Sequence, residues 1–139
     1  MVIEMKGVYT LVIELGEYKT IEVGAIGDIN FDKGHYIYVG SAQNGLEARI
    51  DRHLREKKKT HWHIDYLLDN AAIIDIYISD GDRKEECRIA EYLASKLDEI
   101  DDFGSSDCSC SSHLFFTKNL EDIYVTLDNY TDLEKYNLD

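Results

Sequence analysis

Alternation between apolar and polar positions predicts β-strands in the first part of the chain. Residues 7–15 (GVYTLVIEL) are rich in β-branched and aromatic side chains and alternate in part, as a half-buried strand does. A second predicted strand covers 18–26 and pairs back on the first. After a turn at 30–34, a third predicted strand covers 35–40.

A helical period replaces this alternation after Gly45. Leu46, Ile50 and His53 fall on one face of a predicted helix over 45–57. The remaining predicted elements follow in order: a short helix over 62–68, a strand over 73–78, a helix over 83–97, a loop over 103–112, strands over 113–117 and 123–127, and a frayed acidic tail over about 128–139.

These elements predict an α+β fold, with a small mixed or antiparallel sheet flanked by about three helices. The length of 139 residues suits one domain, and neither a repeat nor a linker divides it. We therefore predict a single domain over 1–139.

Composition narrows the class of protein. Apolar residues make up 44% of the chain, which is enough for a core, and no apolar run approaches the roughly 18 residues that span a bilayer. The first six residues carry charges where a secretory peptide needs an apolar stretch. Three cysteines are an odd set for a secreted disulfide scaffold. We predict a cytoplasmic protein with no membrane association.

Charge limits the possible partners. The net charge of −13 opposes long-range attraction to a polyanion, so a nucleic-acid enzyme must concentrate positive charge locally. Such a concentration lies between Glu47 and Lys59, where basic residues outnumber acidic ones. We predict that this segment faces phosphate; the alternative is a solvated helix face of alternating charge.

Two tripeptides, GVY at 7–9 and YVG at 38–40, each lie on a predicted strand. Ser41 follows the second, and the next helix carries Arg49 and His53, which share a face because they are four residues apart. Core tyrosines with one satisfied hydroxyl, and a plain exposed pair on the helix, are the alternative interpretations.

With a later helical glutamate, this pattern resembles the signature of the GIY-YIG nucleases in order, type and spacing. The similarity runs from about residue 7 to 116 and is closest to an archaeal-type branch of presumed endonucleases. Four segments carry it: GHYIYVGSA, GLEARIDRHL, HWHIDYLL and FGSSDCSCSSHL. The resemblance implies metal-dependent hydrolysis of phosphodiester bonds in DNA, or in structured RNA.

The resemblance also implies roles for the motif residues. Tyr9 is the general base or relays a proton to it, and Tyr38 holds the water or the phosphate. Arg49 neutralises a nonbridging phosphate oxygen with its planar guanidinium. His53 hydrogen-bonds the phosphate or assists proton transfer.

The metal ligand implied by the resemblance is a glutamate on the predicted helix over 83–97. We favour Glu86, with Glu91 and Glu85 as alternatives, and expect one Mg²⁺ or Mn²⁺ ion with several waters. The predicted nucleic-acid-binding residues are Gly40, Ser41, Arg52, Arg55, Lys57, Lys58, Lys59 and His61.

Two features depart from the family pattern. The tyrosine tripeptides are usually joined by a short hairpin, so an extra strand must be inserted here. The family's asparagine after the glutamate has no clear counterpart; Ser105, Ser106 and Asp107 occupy that part of the chain.

A cysteine-rich loop offers a zinc alternative. Cys108, Cys110 and His113, with Cys87 as a fourth ligand, make a Cys₃His set, but their spacing matches zinc fingers poorly. Small buried thiols in a tight loop are the simpler interpretation.

Two other functions remain open beside the nuclease. A nucleic-acid-binding module without turnover and an acidic protein-interaction domain both agree with the net charge. Because no separate DNA-reading domain is evident, we expect a homodimer or a targeting protein partner.

Overall fold

The computed structural model describes residues 6–43, 45–55, 62–101, 103–104, 110, 112–130 and 132–136. These residues form eight β-strands and four α-helices. The strands are β1 (Gly7–Leu15), β2 (Lys19–Val23), β3 (Gly27–Phe31), β4 (Gly34–Ala42), β5 (Ala72–Ser79), β6 (Asp98–Glu99), β7 (Leu114–Thr117) and β8 (Glu134–Lys135). The helices are α1 (Leu46–Leu54), α2 (His63–Leu68), α3 (Arg83–Ala94) and α4 (Leu120–Asp128).

A six-stranded sheet organises the described residues, in the order β6-β7-β4-β1-β5-β8. Each pair of neighbouring strands in it is antiparallel. This arrangement confirms the predicted α+β fold, with four helices where about three were expected.

The inserted segment between β1 and β4 forms its own hairpin. β2 pairs with β3 rather than with β1, so the predicted pairing of the first two strands is wrong. β1 pairs instead with β4 and β5, which cover both of its edges. The inserted hairpin therefore lies outside the six-stranded sheet. The two motif strands, β1 and β4, still pair directly with each other.

Side chains on the two faces of the sheet enter two separate cores. On the first face, α1, α2 and the hairpin pack over the sheet, through residues such as Ile50, Leu67 and Phe31. On the second face α3 and α4 pack, through residues such as Leu93 and Leu127. We call these coverings the first layer and the second layer.

The end of the chain corrects two predictions. Residues 123–127 are part of α4 rather than a strand: Asn119 caps the helix by accepting a hydrogen bond from the Glu121 amide, and Ile123 and Leu127 bury one face. Glu134 and Lys135 pair with β5, so this part of the predicted frayed tail is attached to the sheet.

No helix in the described part of the chain has both the length and the apolar character that a membrane crossing requires.

Candidate active site

Strand pairing brings the two motif tyrosines to one face of the sheet. Tyr9 lies opposite Gly40, and Tyr38 lies opposite Leu11, two positions along β1. Because side chains alternate along a strand, both rings enter the first layer, with their centroids 6.4 Å apart. Both side chains are buried, at 2% and 7% exposure.

Gly40 leaves the space that the Tyr9 ring occupies. A Cβ atom on Gly40 would lie 2.4 Å from the Tyr9 hydroxyl oxygen and 2.5 Å from its Cζ atom. Gly7 has a similar role against the neighbouring strand, since a Cβ there would lie 2.4 Å from the Ser79 carbonyl oxygen. The motif glycines thus admit close approach, the interpretation that strand glycines invite.

His53 reaches the Tyr9 hydroxyl from α1. Its Nε2 lies 2.8 Å from the Tyr9 oxygen, and the imidazole is 2% exposed. His53 is therefore no part of an exposed helix pair. Burial raises the pKa of Tyr9 well above its ordinary value, while the positive charge of Arg49 and its hydrogen bond oppose that rise. Tyr9 is accordingly a neutral phenol at neutral pH.

Arg49 is held in place by Trp62 and by the backbone of β4. Its guanidinium lies 4.4 Å from the centre of the Trp62 ring, and its Nη1 donates to the Ser41 carbonyl oxygen at 3.1 Å. Arg52 stacks on the same indole at 4.3 Å. Cation–π contacts of this kind restrict where each guanidinium can move.

Arg52 has a buried partner that its sequence neighbours do not indicate. Its two terminal nitrogens donate to the two oxygens of Asp65, each at 3.0 Å. Asp65 is fully buried and also accepts from the Trp62 amide at 2.9 Å. The Arg52 guanidinium thus joins α1 to the buried carboxylate of α2.

The second layer contributes Glu86 to the same region. Glu86 lies in the first turn of α3, and its carboxylate, with Tyr9, Tyr38 and Arg49, lines a cavity of about 620 Å³. The negative charge of Glu86 is near enough to contribute to the raised pKa of Tyr38, although burial is the main cause. The favoured glutamate is thus the one that meets the motif residues.

The two alternative glutamates point elsewhere. Glu85 accepts from Arg88 at 2.7 Å and from the Tyr130 hydroxyl, so its carboxylate faces the C-terminal segment. Glu91 is exposed and does not line the cavity.

His113 is a cavity residue that sequence reasoning considered only as a zinc ligand. It is 4% exposed, and its Nδ1 lies 3.7 Å from Glu86 Oε2. Burial lowers the pKa of His113, so the imidazole is neutral at neutral pH and the contact is no ion pair there. Proximity to Glu86 comes from the tertiary fold, and the local sequence carries no signal of it.

The full lining of the cavity adds further polar residues from α3 and from the segment after β4. The lining residues are Tyr9, Tyr38, Gly40, Ser41, Gln43, Arg49, Trp62, Arg83, Lys84, Glu86, Cys87, Gly104 and His113. Arg83 and Lys84 are exposed cations at the start of α3, outside the basic segment that the sequence singled out. Phosphate-compatible charge therefore comes from both layers.

The predicted nucleic-acid-binding residues divide into three groups. Gly40 and Ser41 line the cavity, whereas Arg52 and Arg55 do not. Lys57, Lys58, Lys59 and His61 lie outside the described residues, as do Ser105, Ser106, Asp107 and Cys108.

Glu86 is the only carboxylate among the described residues that line the cavity. Within the described ranges, no group of three or more histidine, cysteine, aspartate or glutamate side chains is arranged to hold a metal. A single carboxylate at a polar cavity wall, Glu86, suits Mg²⁺ or Mn²⁺, which keep several waters and share substrate oxygens.

Comparison with known proteins identifies the family. The profile described as "Domain of unknown function DUF123" matches residues 8–134, which is nearly the whole chain. No curated protein and no solved structure matches this chain. The match covers every strand and helix that supplies the cavity, so the chain belongs to the DUF123 family.

Proposed function

We propose that this protein is a metal-dependent endonuclease of the GIY-YIG type that hydrolyses phosphodiester bonds in DNA. One observation carries the proposal: Tyr9, Tyr38, Arg49 and Glu86, which lie far apart in sequence, line the same cavity.

The contact between Tyr9 and His53 supports a proton relay rather than a phenolate base. Because burial raises the pKa of Tyr9, the hydroxyl keeps its proton at neutral pH. As a water oxygen attacks phosphorus, the water proton passes to the Tyr9 oxygen and the Tyr9 proton passes to His53 Nε2, 2.8 Å away. The bond to the leaving oxygen breaks, and that oxygen takes a proton from solvent.

Arg49 is positioned to neutralise the phosphate. Its guanidinium is fixed by Trp62 on one side and by the Ser41 carbonyl on the other, so little side-chain freedom is lost when phosphate binds. Preorganised charge of this kind stabilises developing negative charge in a transition state. Arg83 and Lys84 add further positive charge to the cavity lining, where neighbouring phosphates of the nucleic acid would bind.

Glu86 would hold the divalent ion, which when bound supplies charge stabilisation at the phosphoryl oxygens and the leaving oxygen. Tyr38, buried beside Tyr9 and Glu86, would orient the water or a phosphate oxygen with its hydroxyl.

The net charge of the protein bears on how it reaches a nucleic-acid substrate. A net charge of −13 repels a polyanion at long range, so the cavity needs help to reach its substrate. We propose that a second copy of this chain or a targeting protein supplies that help, and that the protein works in the cytoplasm.

A nicking assay on supercoiled plasmid tests the proposal, with Mg²⁺, Mn²⁺ or EDTA. The wild type is compared with Tyr9→Phe, Arg49→Ala and Glu86→Gln. Glu91→Gln is the matched control, because it makes the same change on the same helix outside the cavity. We expect metal-dependent nicking that the first three variants lose and the control retains.

Two results would overturn the proposal or part of it. Absence of nicking by the wild type on every form of DNA and RNA tested would leave binding without turnover as the function. Equal loss in Glu86→Gln and Glu91→Gln would remove the assigned metal ligand.

A further inference from the structure

The backbone on both sides of the His113 side chain is fixed by hydrogen bonds. Its amide donates to the Phe103 carbonyl oxygen at 2.8 Å, and its carbonyl oxygen accepts from the Val39 amide at 2.9 Å. Since Val39 is in β4 beside Tyr38, the imidazole is held against the motif strand. Because the imidazole is also buried, at 4% exposure, it loses little conformational entropy on binding a ligand.

The separation between His113 and Glu86 is slightly longer than that between two ligands of one ion. Their facing atoms, Nδ1 and Oε2, lie 3.7 Å apart, which is too long for a hydrogen bond. Ligands about 2.1 Å from a shared ion stand roughly 3.0–3.5 Å from each other at bond angles near 90–110°. A small movement of the glutamate, which lies on the cavity wall, closes the difference.

Charge in the cavity makes a second ligand useful. Glu86 shares the cavity lining with Arg49, Arg83 and Lys84, and the positive charge of these side chains opposes binding of a divalent ion. A neutral imidazole adds a strong donor atom while Glu86 supplies the negative charge.

We propose that His113 is a second protein ligand of the divalent ion beside Glu86, and that the site prefers Mn²⁺ to Mg²⁺. This inference rests on the proposed function and assigns its metal. Imidazole nitrogen binds transition ions well, whereas Mg²⁺ favours oxygen ligands and its own waters. A mixed oxygen and nitrogen set therefore favours Mn²⁺ over Mg²⁺.

The test measures Mn²⁺ binding to the full chain by electron paramagnetic resonance, without nucleic acid, and repeats it in competition with Mg²⁺. Pulsed measurements detect the nitrogen-14 of a bound imidazole directly. The variants are His113→Asn, which keeps a polar group near the Nδ1 position, and Glu86→Gln.

The chain contains a matched control pair. His35 Nε2 lies 3.2 Å from Glu14 Oε2 at the other end of β4, outside the cavity. His35→Gln removes an imidazole from a histidine–glutamate contact of the same chemistry. It separates binding in the cavity from binding at any such surface pair.

We expect wild type and His35→Gln to bind one Mn²⁺ with a nitrogen-14 signal. In His113→Asn the signal disappears and Mn²⁺ affinity falls at least about tenfold, since even changes to outer-shell partners of a metal cost that much. Mg²⁺ affinity falls less, so the preference for Mn²⁺ narrows. Should His113→Asn not fold, His113→Gln takes its place, and a nitrogen-14 signal that survives in that variant excludes His113 as the ligand.

The outcomes separate this inference from the nuclease proposal. Mn²⁺ bound through Glu86 without a nitrogen-14 signal, or with one that depends on His35, overturns the role of His113 and leaves the nuclease proposal standing. Nitrogen-coupled binding at Glu86 without nicking of any nucleic acid overturns the nuclease proposal alone. Absence of Mn²⁺ binding at Glu86 overturns the metal assignment in both.

Discussion

The two faces of the sheet use the same strands for different purposes. On β1 and β4, the apolar side chains that enter the second layer are aliphatic, among them Val12, Ile37 and Val39. Those that enter the first layer include the tyrosines Tyr9 and Tyr38. Aliphatic groups need only close packing, whereas each buried hydroxyl also needs a hydrogen-bond partner.

Along β1 and β4, residues that contribute mainly to stability therefore alternate with residues on the face that lines the cavity. The aliphatic core of the second layer, as distinct from Glu86 at its edge, can be varied in shape and volume with consequences mainly for folding. The first layer contains polar contacts whose loss changes what the cavity can do. Single substitutions on each face therefore test whether stability and chemistry are divided between the two faces of the sheet.

The largest expected effect is on the rate of nicking in Tyr9→Phe. Removing the hydroxyl abolishes the proposed relay to His53, and positioned acid–base groups contribute about 10²–10⁴-fold to rate. The free energy of unfolding should change by only about 1 kcal/mol, the net value of one hydrogen bond. Nicking kinetics and urea unfolding measure the two effects.

Tyr36→Phe is the control for this variant. Tyr36 is buried in the same layer and donates to the Asp32 carbonyl oxygen at 2.7 Å, yet it does not line the cavity. It should lose similar stability and keep its nicking rate. Equal rate losses in the two variants would show that chemistry on this face is not confined to Tyr9.

The second-largest effect is on stability, from the opposite face. Leu127→Ala in α4 removes a fully buried side chain and should lower the free energy of unfolding by about 2–5 kcal/mol. The nicking rate per folded molecule should stay near wild type because α4 contributes no cavity residue. Val125→Ala, on the exposed side of the same helix, should change neither quantity. A large loss of rate in Leu127→Ala would contradict the division between the faces.

A smaller loss of stability is expected in Asp65→Asn. The carboxylate accepts both terminal nitrogens of Arg52, and hydrogen bonds to charged groups contribute about 1.5–3 kcal/mol. Urea unfolding compares this variant with Asp69→Asn, an exposed change just after the same helix. If the two variants were equally stable, Arg52 would not depend on Asp65.

The smallest effect is the pH dependence contributed by His63. Burial lowers its pKa in the folded protein, and its Nδ1 accepts from the Gly104 amide at 3.0 Å. As pH falls below about 6.5, the unfolded chain takes up a proton more readily than the folded one, so the free energy of unfolding decreases. Thermal unfolding at pH 5.5 and 7.5 should show this decrease, and His63→Gln should reduce it. His113 contributes with the same sign, so the reduction is partial; an unchanged pH dependence in His63→Gln would contradict the assignment.

Local patterns predicted the motif strands and the helix after them with bounds close to those observed. β1 has the predicted range, and α1 covers most of its own. Alternation and helical period are sufficient there because each element has one strongly apolar face. The order of the motif residues then indicated which side chains would share a site, and Glu86 does line the cavity with Tyr9 and Arg49.

Other features depend on contacts that local patterns do not encode. Ile123, Val125 and Thr126 favour a strand by propensity, but the cap at Asn119 and burial of one helical face decide for α4. The sequence around Arg52 carries no signal of its ion pair with Asp65, which lies thirteen residues later. His113 gains its place only through its register against Val39.

The entry of Glu86 from the second layer has a consequence for synthesis of the chain. A ribosome releases β1, β4 and α1 well before α3 and the His113 segment, so the early product has tyrosines and an arginine but no carboxylate to complete them. The cavity comes into being only when late segments dock on early ones. A partly synthesised or partly unfolded chain therefore lacks the complete cavity. The proposed hydrolytic activity, if measured, would report that the fold is complete.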